Sequence, residues 1–135
     1  MASKVKYLSH ILAPVSIGEL IDKITILEIK KVHMTGIKLK NVDKELELLK
    51  CILQEKNMEI NIDLINHLKD VNNVLWEIED RIRIKESNHK FDKEFIQLAR
   101  SVYKENDRRA SIKKAINQKY NSEIIEEKLY NYYSL

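Results

Sequence analysis

The sequence has few of the residues that turn, break or cross-link a chain: two glycines, one proline and one cysteine in 135 residues. So few turn-forming residues exclude a β-sandwich, which needs many tight turns. A single cysteine excludes an internal disulfide and a cysteine-rich zinc site. The apolar runs are short, so we expect no membrane-spanning helix, and residues 1–9 lack the apolar block of a signal peptide. The expected location is therefore the cytoplasm.

The residues that are present indicate a folded protein of one domain. Hydrophobic residues make up 44% of the chain and charged residues 33%, a balance that argues against intrinsic disorder. The length predicts a single helical domain over residues 1–135, with an extended arm over residues 1–15 and a bundle over residues 16–135. The net charge is only +3, with both signs mixed along the chain, which does not favour nucleic-acid binding.

Apolar residues recur every three to four positions along most of the chain, which predicts an all-α fold of four or five helices. Ser16 and Glu19 have the spacing of a capping box at the start of the first helix, which should stop near Gly36. The fourth helix either runs unbroken or bends near Asn106, a residue able to cap a helix. The five predicted helices cover about residues 17–34, 41–57, 63–86, 93–120 and 123–133.

Three polar side chains of the fourth helix lie where that helix should be apolar. On a helical projection, Asn106, Arg109 and Lys113 fall inside the arc of its apolar residues, which are Phe95, Leu98, Ala99, Val102, Ile112, Ile116 and Tyr120. Glu28 falls inside the apolar arc of the first helix in the same way. Charged groups on a buried face destabilise the fold unless they are paired, so these positions mark a candidate site.

Two interpretations of this candidate site stay open. In the first, Glu28 forms a buried structural salt bridge with Arg109 and Lys113, joining the first and fourth helices. In the second, Arg109 and Lys113 hold an anionic ligand, Glu28 and Asn106 orient it, and Asn117 completes the ligand site. The second interpretation needs no cofactor, because a guanidinium and an ammonium can bind a phosphate or carboxylate directly.

Pairs of acidic residues leave an enzymatic alternative open. Glu19 with Asp22, and Glu77 with Asp80, each place two carboxylates on one helix face, where they could hold Mg²⁺. All-α nucleotide pyrophosphohydrolases use helical carboxylates in this way, but the paired glutamates that they place one turn before a third are missing here. Apart from this weak alternative we expect no metal site, because the four histidines lack zinc-ligand spacing.

The remaining expectations concern surfaces and single residues. Cys51 should pack as a small hydrophobic residue, and Trp76 should pack at the edge of the third helix. Glu79 and Arg83 should form a surface ion pair. A weak nucleic-acid-binding surface, a third function, would use the basic residues Arg108, Arg109, Lys113, Lys114 and Lys119. The C-terminal aromatic patch either closes the bundle or forms an association surface, and we favour the second, which predicts a homodimer through Tyr130, Tyr132 and Tyr133.

Three motifs resemble those of a family of small bacterial and phage proteins of unknown function. The first is PVSIGELIDKITILEIK at residues 14–30, and the resemblance covers about residues 11–130. The second is NDRRA at residues 106–110 with Lys113, Ile116 and Asn117, and the third comprises Ser122, Glu126, Glu127, Lys128 and Tyr130. The resemblance implies a gene context of glycosyltransferases and surface-polysaccharide synthesis, and it assigns no catalytic residue.

These observations favour a binding or accessory module over an enzyme. We expect a helical bundle, dimeric, whose buried polar pocket holds a small anion such as a sugar phosphate or a nucleotide. The resemblance adds a link to surface-glycan synthesis.

Overall fold

The computed structural model describes residues 10–131 and Tyr133. It contains four helices, α1 (Ile17–His33), α2 (Gly36–Glu55), α3 (Ile62–Ser87) and α4 (Lys93–Lys119). The described residues contain no strand, so the predicted all-α bundle is confirmed. Residues 10–15 have no regular secondary structure, and the rest of the predicted arm lies outside the described residues.

Helix α1 is the central element, because it packs against each of the other three helices, while α3 and α4 pair with each other. Its apolar side chains divide between two buried clusters. The cluster shared with α2 contains Leu20, Ile24, Leu27, Val42 and Leu46. The cluster shared with α3 and α4 contains Ile21, Leu68 and Ile116. The apolar residues that recur at helical spacing in the sequence therefore form the core, as an amphipathic pattern predicts.

The boundary between the first two helices differs from the prediction. Gly36 does not simply end α1: it is the first residue of α2, which begins about five residues earlier than expected. Helix α1 ends at His33, and the next residue, Met34, is extended. The φ angle of Gly36 is 64°, in the left-handed region that favours glycine. Its conformational freedom thus turns the chain directly from one helix into the next.

The predicted fifth helix is wrong, and the fourth helix runs unbroken through Asn106. Residues 124–131 have no regular secondary structure. Leu129 is 97% exposed and Ile124 and Ile125 are about 40% exposed, so none of these apolar side chains is buried in the core. A short amphipathic segment without such packing is too short to be helical on propensity alone.

Several single-residue expectations are now settled. Cys51 is exposed, so its predicted packing is wrong: α2 buries only the stripe with Val42 and Leu46. Trp76 is partly buried and stacks on His33 with ring centroids 4.8 Å apart. The predicted surface ion pair of helix α3 is confirmed, with Arg83 Nη2 3.6 Å from Glu79 Oε2. Among the described residues, no helix is long and apolar enough to span a membrane.

Candidate functional site

The first turn of α1 begins with half of the predicted capping box. The Ser16 hydroxyl accepts a hydrogen bond from the Glu19 amide at 3.1 Å, as expected. The Glu19 carboxylate does not return to the Ser16 amide. It accepts a hydrogen bond of 2.6 Å from the Lys113 ammonium of α4 instead. The residue that should only cap a helix therefore belongs to a contact between helices.

Two further caps of α1 come from the end of α4 and the turn after it. The Ile17 amide donates to Ser122 Oγ at 3.1 Å, and the Gly18 amide donates to Asn117 Oδ1 at 2.6 Å. Free amides at a helix N-terminus attract anions. Here these amides already have partners, so the N-terminus of α1 is not the anion site.

Gly18 is required because α1 and α4 approach each other closely at this point. A Cβ atom on Gly18 would lie 2.5 Å from the Lys113 carbonyl oxygen and 3.0 Å from Asn117 Oδ1. The first atom belongs to the backbone of a helix and cannot move aside without shifting α4. The close approach places the side chains of α1 and α4 within reach of each other.

A buried ion pair joins the two helices one turn further along α1. Asp22 has no exposed surface, and Arg109 Nε lies 3.0 and 3.1 Å from its two carboxylate oxygens. Arg109 Nη2 also donates to Asp22 Oδ2. This bidentate contact raises the pKa of Arg109, chiefly through the Asp22 hydrogen bonds. Arg109 is therefore a fixed cation whose planar group is held in one orientation.

Hydrogen bonds between α3 and α1 provide Asp22 with a further partner. Asn72 of α3 donates from Nδ2 to Asp22 Oδ1 at 2.8 Å and to Thr25 Oγ1 at 2.9 Å. The Thr25 hydroxyl in turn donates to the Asp22 carbonyl oxygen at 2.8 Å. These buried polar groups satisfy one another, which is what allows them to lie in the core.

Lys113 has only 10% of its side chain exposed and contacts two carboxylates. Its ammonium donates to Glu19 Oε2 at 2.6 Å and to Glu126 Oε2 at 2.9 Å, and Asp22 Oδ2 lies 4.0 Å away. Burial lowers the pKa of Lys113, but the hydrogen bonds to Glu19 and Glu126 outweigh it, so the pKa is raised. The ammonium form is therefore the one that the site holds.

Glu126 extends this network to the segment after α4. Its Oε1 atom lies 2.8 Å from Lys128 Nζ, while its Oε2 atom accepts from Lys113. Hydrogen bonds from Lys128 and then Lys113 lower the pKa of Glu126 from 4.5 to about 2. We call the six residues linked in this way the ionic cluster: Glu19, Asp22, Arg109, Lys113, Glu126 and Lys128.

A cavity of about 750 Å³ lies beside the ionic cluster. Asn106, Arg109 and Lys113 line it from α4, and Glu19 lines it from α1. Further residues of α4 line it as well, and the C-terminal segment, defined as residues 123–131 with Tyr133, contributes Glu126, Lys128, Tyr130, Asn131 and Tyr133. The cavity therefore combines cations, carboxylates, amides and aromatic rings in the space between α4 and the C-terminal segment.

Aromatic residues hold the far end of the C-terminal segment. The Tyr133 hydroxyl donates to Asp107 of α4, and its ring packs edge-on against Tyr103 with centroids 5.1 Å apart. The contact with Asp107 raises the pKa of Tyr133 to about 12. Tyr130 is 71% exposed and lines the cavity, whereas Tyr132 lies outside the described residues. A tyrosine dimer surface stays a prediction.

The structure brings together most of the predicted ligand residues, but not Glu28. Asn117 lies one turn beyond Lys113 and caps α1. Glu28 pairs instead with Lys50 at 3.6 Å and Lys69 at 3.0 Å, so the predicted bridge from Glu28 to Arg109 and Lys113 is wrong. The physical reason is rotation along the helix. The six positions from Asp22 to Glu28 turn the side chain by about 120°, away from α4.

The partner that the sequence prediction missed is Asp22. A signal for it exists, because the buried residues Gly18, Asp22, Thr25 and Ile29 repeat at spacings of four, three and four along α1. Three of these four residues, Gly18, Asp22 and Thr25, are small or short and polar, which marks a helix face that lies close to a neighbour. Glu126 was missed for another reason: its segment was predicted to be a helix, and residues 124–131 form none, so the predicted helix face did not indicate which side chains Glu126 contacts.

The acid pairs proposed for Mg²⁺ are not assembled into one site. Asp22 accepts from Arg109 and Asn72, and Glu77 and Asp80 are exposed on α3, away from the lining of the cavity. Within the described ranges, no group of three or more His, Cys, Asp or Glu side chains is arranged to hold a metal ion.

The basic residues of α4 do not form one free patch. Arg108 pairs with Glu105 at 3.1 Å, and Arg109 and Lys113 pair with the acids of the ionic cluster. Lys119 lies 5.9 Å from the centre of the Tyr120 ring. Nucleic-acid binding needs cations that can exchange counterions for phosphates, and the paired residues are poorly suited to this.

Residues 12–134 match a family described as a family of unknown function, DUF6165. The chain belongs to the DUF6165 family. The match spans every residue of the ionic cluster and of the cavity lining, so both lie inside the DUF6165 region. No curated protein and no solved structure is detectably similar to the chain.

Proposed function

We propose that this DUF6165 protein is a binding or accessory module whose cavity holds a small anionic ligand, a sugar phosphate or a nucleotide. The observation that carries this proposal is the placement of Arg109, Lys113 and Lys128 around one cavity of about 750 Å³. That volume is typical of a small-molecule site, and it far exceeds what a bare phosphate ion fills.

The cavity offers a separate kind of contact for each part of such a ligand. Asp22 engages Nε and Nη2 of Arg109, and no residue in the described part of the chain bonds Nη1, which can therefore donate to a phosphate oxygen. Asn106 and Asn131 carry amides that can bind hydroxyl groups. The exposed ring of Tyr130 offers a face on which a sugar or base can stack.

The same geometry gives less support to the Mg²⁺-dependent hydrolase. Such an enzyme needs carboxylates that are free to coordinate the metal ion. The Asp22 oxygens are already used by Arg109 and Asn72, and the Glu19 carboxylate is held by Lys113. Binding without chemistry is therefore the favoured function, and metal-dependent hydrolysis is the second candidate.

The cellular setting belongs to the proposal as well. The family resemblance suggests bacterial or phage proteins encoded near surface-polysaccharide genes, where sugar phosphates and nucleotide sugars are abundant cytoplasmic metabolites. We propose a cytoplasmic location and a homodimer for this protein. Leu129, which is 97% exposed on the C-terminal segment and does not line the cavity, is an apolar residue that a second copy could cover.

Isothermal titration with glucose 1-phosphate and uridine monophosphate tests the proposal, with glucose and uridine as uncharged controls. We expect at least one phosphate to bind with Kd below about 1 mM and neither uncharged compound to bind. Replacing Asn106, an exposed lining residue, in an Asn106→Ala variant should raise Kd without changing stability. Gln118→Ala changes an exposed residue of α4 outside the cavity and should bind as the wild type does. If no phosphate compound binds, the proposal is wrong.

A further inference from the structure

One carboxylate of the protein already occupies the position between two cations of the cavity. Glu126 uses its two oxygens separately: Oε2 accepts from Lys113 at 2.9 Å, and Oε1 lies 2.8 Å from Lys128. A carboxylate that bridges two ammonium groups presents a pair of adjacent anionic oxygens, as a phosphate monoester does. A ligand phosphate and Glu126 would therefore bind the same two nitrogen atoms.

The segment that carries Glu126 is held mainly by polar contacts. Ser122 fixes its start by accepting from the Ile17 amide and donating to the Ile124 carbonyl oxygen, and Tyr133 fixes its end on Asp107. Between these two points Leu129 is 97% exposed and Ile124 and Ile125 are about 40% exposed, so no apolar side chain there is fully buried. A segment with few buried apolar contacts opens locally at a low free energy.

The charges of the ionic cluster balance only while Glu126 is in place. Its three cations, Arg109, Lys113 and Lys128, are matched by three acids, Glu19, Asp22 and Glu126. Without Glu126 the cluster has three positive and two negative groups, and so a net charge of +1. A phosphate monoester, which carries a charge of about −1.5 to −2 at pH 7, would more than replace the missing negative charge, whereas a neutral ligand would not replace it.

We propose that Glu126 is an internal competitor for the ligand's phosphate group, and that its carboxylate is displaced from Lys113 and Lys128 when the phosphate binds these two residues. This inference rests on the proposed function, because it concerns the same cavity. It specifies which part of the ligand replaces which part of the protein. Glu126 thereby sets the ligand concentration at which the site fills, since ligand and carboxylate exclude each other.

A Glu126→Gln variant removes the competing charge and keeps the size of the side chain. We expect its Kd for the phosphate compound that the wild type binds to be about three- to tenfold lower. Glu127→Gln is the matched control: it changes the net charge equally at an exposed neighbour that does not line the 750 Å³ cavity. Its Kd should stay at the wild-type value, so a general charge effect is separated from competition.

Carboxyl carbon shifts in an NMR titration give a readout of the displacement itself. In the free wild type Lys113 and Lys128 hold the Glu126 carboxylate, whereas a displaced carboxylate has lost both partners. A saturating concentration of the phosphate compound should therefore raise the midpoint of the Glu126 titration from about 2 towards 4.5. An unchanged midpoint in the saturated protein would show that Glu126 keeps its two partners, which would overturn the inference.

The two proposals fail in different ways. If the wild type binds a phosphate compound and Glu126→Gln binds it equally or more weakly, Glu126 does not compete, and only the further inference is overturned. If neither the wild type nor Glu126→Gln binds any phosphate compound, the proposed function is overturned and the inference falls with it.

Discussion

Arg109 of α4 binds both carboxylate oxygens of Asp22 of α1, although the two residues are 87 positions apart in the chain. Asp22 is fully buried, while 28% of the Arg109 side chain remains exposed. The pair therefore has two sides: an interior acid that needs its cation, and a cation that also reaches the cavity. This arrangement makes one residue contribute to stability and to the proposed site at once.

Removing the cation of this pair should destabilise the fold strongly. An Arg109→Met variant removes the bidentate partner of the buried Asp22 carboxylate, which then has only the Asn72 amide as a side-chain hydrogen-bond donor and Lys113 Nζ at 4.0 Å as its remaining cation. We expect a loss of about 3–5 kcal/mol in the free energy of unfolding, measured by urea denaturation. Replacing Glu79 by Gln breaks an exposed ion pair and should cost less than about 1 kcal/mol.

A double-mutant cycle checks that this loss comes from the pair itself. The Asp22→Asn, Arg109→Met double variant should lose less stability than the sum of its two single variants, with a coupling of about 2 kcal/mol. Additive losses would contradict the assigned pairing.

Replacing Gly18 by Ala should separate α1 from α4. The added Cβ would lie 2.5 Å from the Lys113 carbonyl oxygen, so one of the helix backbones must shift. We expect a loss of about 2–4 kcal/mol in the free energy of unfolding, since overpacking against a backbone cannot be relieved by a rotamer change. The comparison is Gly36→Ala, where the space is open and only the φ of 64° is strained. Its cost should be about 1–2 kcal/mol, and a larger cost than that of Gly18→Ala would contradict the close approach.

Asn117 should matter as a hydrogen-bond acceptor for α1. Asn117→Ala leaves the buried Gly18 amide without its acceptor, for which we expect a loss of about 1–3 kcal/mol in the free energy of unfolding. Asn117→Asp keeps an oxygen at this position and places a negative charge at a helix N-terminus, which is favourable. Thermal denaturation should therefore rank the wild type and Asn117→Asp above Asn117→Ala. Equal loss in both variants would show that the contact with the Gly18 amide is unimportant.

The ion pairs of Glu126 predict its response to acid. Because its pKa in the folded protein is about 2, below the ordinary value of 4.5, these pairs stabilise the attached C-terminal segment fully above pH 4.5. The stabilisation is lost as the pH falls from 4.5 through about 2, where the folded-state carboxylate takes up a proton. Carboxyl carbon shifts in an NMR titration should show a midpoint for Glu126 near pH 2. Lys128→Gln should raise that midpoint towards 4.5, and an unchanged midpoint would contradict the pairing with Lys128.

The predictable parts of this protein are those decided within a few turns of helix. The spacing of apolar residues indicated four of the helices, and the pattern of Ser16 and Glu19 located the start of α1. Periodicity also singled out Arg109 and Lys113 as polar residues on a buried face, and the structure shows both in buried or half-buried ion pairs. These features depend on neighbours three and four positions away, which one sequence contains.

The acids that pair with Arg109 and Lys113 were determined by the tertiary structure alone. Asp22 rather than Glu28 faces Arg109 because Gly18 allows α1 and α4 to pack closely near that turn. The position of such a helix crossing cannot be inferred from a local sequence pattern. The segment after Ser122 is amphipathic in sequence, yet residues 124–131 form no helix, and none of Ile124, Ile125 and Leu129 belongs to the buried core. Local periodicity specifies the elements, whereas contacts between residues 87 or 94 positions apart exist only once those elements have packed.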